Sequence, residues 1–156
     1  MFRCIAGFIF LLNNVYSANI HHQFLELEKK HHLQIGVYVH DTNSQKIITY
    51  RANQKFPFQS TFKIIVVAAM FKQNLAHNQV KVEYKDLIVW HPISGKYLNK
   101  LVSLKTLAEG AISYSDNPAT NMIIKAVGGL EKINQFASSL SNHSFTIKHY
   151  ESNLNS

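Results

Sequence analysis

At 156 residues, with 46% hydrophobic and 16% charged positions, the chain has the size and make-up of one ordinary globular domain, with no compositional sign of disorder. Its net charge of +7 would suit an anionic partner, but the lysines are scattered singly and no basic block interleaves with aromatics. That argues against a nucleic-acid surface and for a solvated basic one.

The first stretch, "MFRCIAGFIFLLNNVYSA", carries Arg3, an apolar run from Cys4 to Leu12 and small residues at Ser17 and Ala18. The run is too short to span a bilayer and reads as a secretory signal peptide over residues 1–18; the alternative is a buried N-terminal helix. Export would place the mature protein outside the cytoplasm, and Cys4, the single cysteine, would leave with the leader. "HHQFLELEKKHH" (21–32) reads as a short amphipathic helix. "LQIGVYVHD" and "KIITYRA" alternate in polarity and, joined by "DTNSQ", predict a β-hairpin. "STFKIIVVAAMFK" follows, apolar at every position from Ile64 to Phe71, as expected of a helix buried on all sides. Residues 73–100 are mixed, with Pro92 and Gly95 marking a loop in "VWHPISGKY". "SLKTLAEGAISYS" predicts a helix capped by Ser103. "DNPATNMIIKAVGG" predicts another, with Asn117 as cap, Pro118 in the first turn and Gly128-Gly129 as the stop. "LEKINQFASSL" is a last amphipathic helix. Two strands alone are marginal in water, and the sequence offers helices to cover them but no third strand.

Three short patterns carry chemistry. Ser60 and Lys63 stand three apart at the head of the apolar helix, on one face and roughly 5–6 Å apart at Cβ. A buried lysine has a lowered pKa, and near neutrality it can take the proton of a serine hydroxyl. The alternative is a lysine that snorkels to solvent from the first turn. "SYSDN" (113–117) lies between two helices, where Ser115 could relay a proton and Asn117 could bind an amide; alternatively it is an ordinary helix break rich in capping residues. Near the end, Glu151 and Asn155 could hold a water between carboxylate and amide, or lie in an exposed loop.

Taken together, Ser60-x-x-Lys63, Ser115-Asp116-Asn117 and Glu151-x-x-Leu154-Asn155 resemble the class A serine β-lactamases in order and approximate spacing. The resemblance extends through "SLKTLAEGAISYSDNPATNMIIKAVGGLEKINQF" and over most of residues 20–156. It implies an α+β protein of the β-lactamase/transpeptidase-like fold, a helical cluster with an incomplete antiparallel sheet. It further implies Ser60 as the nucleophile, Lys63 assisting its deprotonation, and Ser115 passing a proton to the departing β-lactam nitrogen. Asn117 would bind the substrate amide, Trp90 would stand at the cleft rim, and Glu151 would activate the deacylating water that Asn155 holds. Either Lys63 or Glu151 is left as the base for acylation. The Ser60 backbone N–H would supply half of an oxyanion hole.

Two departures stand out. His149 occupies the place of a family arginine that pins the loop by an ion pair, and no Lys-Thr-Gly motif is found. The expectation is therefore the N-terminal part of a catalytic domain, residues 19–156. A penicillin-binding DD-peptidase and a non-catalytic fragment remain as alternatives. His21-His22 and His31-His32 lack partners at ligand spacing, so no metal and no cofactor is expected. The partner implied is a small-molecule β-lactam, met by a monomer that binds neither nucleic acid nor, once the leader is removed, a membrane.

Overall fold

The mixed charged and apolar stretch at 21–32 folds as its pattern predicts, into a helix α1 over residues 19–31. The structure, a computed structural model, describes residues 19–141 and 144–152; the expected leader lies outside them. Two units are distinguished, one ending at Phe56 and one beginning at Pro57.

In the first unit α1 is followed by the expected hairpin, β1 (Val37–His40) with β2 (Ile47–Tyr50), paired antiparallel with Val37 opposite Tyr50 and His40 opposite Ile47. Asp41 builds the turn: its Oδ1 accepts the N–H groups of Asn43 (2.9 Å) and Ser44 (3.3 Å), an Asx arrangement that offers the backbone a ready-made reversal. Helix and hairpin are joined through Glu28. Its carboxylate accepts the Ile35 N–H at 2.9 Å, the Tyr50 hydroxyl at 2.8 Å and the Arg51 guanidinium at 3.0 Å. These donors, the Ile35 N–H foremost, hold the Glu28 carboxyl below the usual range. Phe24 packs on Tyr50 with ring centroids 5.1 Å apart.

Among the described residues the second unit is a cluster of four α-helices: α2 (Lys63–Lys72), α3 (Leu104–Ser113), α4 (Asn117–Val127) and α5 (Leu130–Ser139). The apolar helix begins later than expected. Residues Gln59–Phe62 form a 3₁₀ turn that runs into α2, tightened where the Thr61 N–H reaches the Phe58 carbonyl at 3.1 Å. Nor is α2 buried all round. Lys63, Val66, Ala69 and Met70 form a buried stripe, whereas Ile64 and Phe71 are 62% and 50% exposed. Helices α3, α4 and α5 each contact α2, and the i, i+3, i+4 spacing was hidden because every neighbouring residue is also apolar.

The absence of a third strand is also corrected. β3 (Gln79–Lys81) and β4 (Leu101–Ser103) pair antiparallel, Val80 opposite Val102, in a second two-stranded sheet. Each is only three residues long, too short for an alternating pattern to show. Ser103 caps α3 as expected, accepting the Thr106 N–H at 3.1 Å. Gly110 on α3 allows close contact with the loop before it, since a Cβ there would stand 3.0 Å from Ile93. Gly128 ends α4 in the left-handed conformation at φ 110°.

The cap of α4 differs from the expectation: it is Asp116, not Asn117. Asp116 is fully buried. Its Oδ1 accepts the Ala119 N–H (2.9 Å) and the Ser94 hydroxyl (2.8 Å), and its Oδ2 accepts the N–H groups of Ile93 (2.9 Å) and Ser94 (2.8 Å). One carboxylate thus ties the loop of residues 91–95 to the start of α4 and leaves the Asn117 side chain free for another partner. Removing it would strand several buried donors, each costing about 1–3 kcal/mol. D116A is therefore expected to lower unfolding free energy by at least about 3 kcal/mol, measured by urea denaturation of the full-length protein; a loss below about 1 kcal/mol would contradict this role.

Candidate active site

Ser60, Lys63, Ser115, Asn117 and Glu151 meet in the second unit although they come from three separate stretches of the chain. Ser60 lies in the 3₁₀ turn and Lys63 opens α2. Ser115 stands in the turn between α3 and α4, Asn117 opens α4, and Glu151 belongs to the segment after α5. Lys63 does not snorkel: its side chain is 1% exposed, directed inward on the buried stripe of α2.

The lysine ammonium is surrounded by acceptors. Its Nζ donates to the Ser115 carbonyl at 2.8 Å, to Ser115 Oγ at 2.9 Å and to Asn117 Oδ1 at 2.7 Å. Glu151 Oε1 lies 3.2 Å away. An ammonium has three protons, so the three shorter contacts satisfy it and the carboxylate adds the countercharge. Ser115 Oγ in turn donates to Ser60 Oγ at 2.7 Å. The expected Ser60–Lys63 pair is therefore linked through a third side chain, in a hydrogen-bonded line from Nζ through Ser115 to Ser60.

Backbone conformation helps to aim these groups. Ser115 has φ 56°, Gln59 next to Ser60 has φ 50°, and Trp90 has φ 66°. Left-handed conformations of this kind cost a non-glycine residue about 1–3 kcal/mol and tend to gather at functional sites. At Ser115 the conformation directs both the carbonyl and the hydroxyl to one ammonium. Trp90 is held beside the cluster: its carbonyl accepts the Asn117 N–H at 3.1 Å and its indole N–H donates to the Tyr114 carbonyl at 2.6 Å. The residue stays 60% exposed. Asn117 Nδ2 also donates to the Val89 carbonyl at 3.1 Å, which fixes the amide so that its oxygen faces Lys63. Asn155 lies outside the described residues.

Sequence reasoning missed the side chains that hold Glu151. Asn121, one turn after Asn117 on α4, pairs with the Glu151 backbone: its Nδ2 donates to the carbonyl at 2.8 Å and its Oδ1 accepts the N–H at 2.9 Å. The signal was a second amide one turn after Asn117, on the same face of the helix. Among the described residues no group of three or more His, Cys, Asp or Glu side chains is arranged to hold a metal ion.

A helical α+β unit built around a buried lysine, two serines and a carboxylate defines a narrow class of protein, and the comparisons agree. Residues 19–156 match the model of the β-lactamase enzyme family. The chain is 37% identical over 147 residues to the β-lactamase of Bacillus subtilis, covering 92% of this chain and 48% of that one. It is likewise 37% identical over 145 residues to the β-lactamase CTX-M-6 of Salmonella typhimurium, covering 89% and 50%. An ancestral class A β-lactamase structure superposes with a TM-score of 0.81 at 31% identity, covering 86% of this chain and 54% of that one. The chain belongs to the β-lactamase enzyme family, within class A. It spans about half the length of the curated relatives it matches.

Burial pulls the Lys63 ammonium below the ordinary lysine range, while the Glu151 carboxylate and, more weakly, Asp116 push it back up. Between that lowered value and the unfolded value of about 10.4, the unfolded chain binds more protons at this site, so the contribution of Lys63 to stability rises with pH across that window. In ¹⁵N NMR the Lys63 side chain should titrate below the ordinary lysine value, and in E151Q, which lacks the carboxylate charge, lower still. Titration at or above the ordinary lysine value would contradict the placement of this ammonium.

Proposed function

We propose that the protein hydrolyses β-lactams through a serine acyl-enzyme, with Ser60 as nucleophile and Lys63 as the base that activates it. The observation that carries this reading is the hydrogen-bonded line from Lys63 Nζ through Ser115 Oγ to Ser60 Oγ. A lysine lowered by burial reaches its neutral form more readily. In that form it can accept a proton from Ser115 as Ser115 accepts one from Ser60. Ser60 Oγ then bonds to the lactam carbonyl carbon, the carbon–nitrogen bond breaks, and Ser115 returns the proton to the departing nitrogen. The Ser60 N–H, in the first turn of a 3₁₀ segment whose leading N–H groups have no partner within the helix, is suited to receive the developing oxyanion.

Glu151 is assigned the second half of the reaction. It takes a proton from water, the resulting hydroxide adds to the ester carbonyl, and the ester bond to Ser60 breaks as that proton passes to Ser60 Oγ, releasing the ring-opened acid. Asn155 is proposed to hold that water. Asn117 and Trp90 are proposed to bind substrate, the amide through hydrogen bonds and the exposed indole by lying along the rim. The carboxylate beside Lys63 favours this reading over a peptidase, which has no comparable need to place a deacylating water. We further propose that residues 1–18 are a leader and that the mature protein acts as a monomer in the periplasm or outside the cell. Among the described residues no helix is long and apolar enough to cross a membrane.

The test is covalent trapping in the full-length protein. S60A should lose all labelling by a fluorescent penicillin. E151Q should acylate and then accumulate as the acyl-enzyme in intact-mass spectra, because loss of general-base assistance slows release by about 10²–10⁴-fold. Labelled S60A would place the nucleophile elsewhere, and E151Q turning over like the wild type would remove Glu151 from deacylation.

A further inference from the structure

The segment that carries Glu151 is held at a second point, four residues earlier. Asn134, on α5, sets its side-chain amide against the backbone of Ile147: Nδ2 donates to the Ile147 carbonyl at 3.0 Å and Oδ1 accepts the Ile147 N–H at 2.9 Å. This paired contact has the form of one rung of a β-ladder, supplied by a side chain. It matches the Asn121 pair on Glu151 itself. Between the two, Lys148, His149 and Tyr150 are exposed, and no ion pair joins Lys148 or His149 to another described residue. Ile147 is buried at 3% exposure and Phe145 at 4%, so the start of the segment is anchored by apolar contact. Apolar burial is non-directional; the rotation of the backbone about that anchor is set by the Asn134 amide.

We propose that Asn134 is a positioning residue for the reaction, fixing the path of residues 147–151 so that Glu151 reaches the Lys63 cluster. This rests on the assignment of Glu151 to deacylation. A carboxylate displaced by about 1 Å loses on the order of 10²-fold in the step it serves, while acylation, carried by Ser60, Lys63 and Ser115 on other elements, feels the displacement only through the weakened countercharge on Lys63. Asn134 touches none of those side chains, so its effect reaches the chemistry only through the Ile147 backbone.

The experiment compares wild type, N134L and N134D in the full-length protein. N134L removes both hydrogen bonds; N134D is nearly isosteric and keeps the acceptor but loses the donor. Stopped-flow acylation by a penicillin, steady-state acyl-enzyme by intact mass, and amide hydrogen exchange are measured together. N134L should acylate within about threefold of wild type, deacylate about 10–100-fold more slowly and accumulate acyl-enzyme. Exchange at Ile147 and Glu151 should quicken while the amides of α4 keep their protection. N134D should show the same pattern to a smaller extent. If both variants deacylate like a wild type that turns over, or if acylation and deacylation fall together, the inference is overturned and the function stands. A wild type that is never acylated overturns the function and the inference with it.

Discussion

A charged lysine in a protein interior must find acceptors for three protons and a countercharge, or it must give up its charge. At Lys63 the acceptors come from the α3–α4 turn and the first turn of α4, and the countercharge from the segment after α5. The requirement for satisfaction therefore draws separate parts of the helical cluster to one point. The Ser115 hydroxyl in turn accepts from Lys63 and donates to Ser60. On the proposed reading the same balance that makes the lysine tolerable, burial lowering its proton affinity and Glu151 partly restoring it, also sets its strength as a base.

Around this centre the supporting contacts are polar and directional. Asp116 ties the loop of residues 91–95 to α4, and this loop borders Trp90. Asn121 and Asn134 each grip a backbone peptide of the segment that ends in Glu151. Apolar burial of Ile123, Ile124, Ile133 and Leu107 fixes how the helices lie, but it does not specify the rotation of a loop or the aim of a carboxylate. Buried hydrogen bonds do so because each leaves an unsatisfied group if the geometry slips.

Local features were readable from the sequence. Ser60 and Lys63 are one helical turn apart, the hairpin alternates, and the Ser103 cap and the Gly128 stop have plain signatures. The apolar run of α2 misled, because a continuous run conceals which stripe is covered: Ile64 and Phe71 proved exposed. β3 and β4 escaped notice because three residues carry no measurable period. The role of Asp116 was misread by one position, since Asp and Asn are about equally good caps and only tertiary demand decides between them: Lys63 claims Asn117. Contacts between residues 52 apart, as Lys63 and Ser115 are, follow from packing and were accessible only through the resemblance of whole motifs. Asn134 left no motif at all.

The most direct test of the central claim is the acylation rate of K63M, in which an apolar side chain of similar length keeps the buried stripe of α2 but offers no proton acceptor. With a penicillin in stopped flow, the account predicts a fall of about 10²–10⁴-fold in the second-order rate of Ser60 acylation, in a protein that still unfolds cooperatively. A K63M variant acylated within a few-fold of wild type would contradict the account, leaving Lys63 as a structural lysine and the base elsewhere.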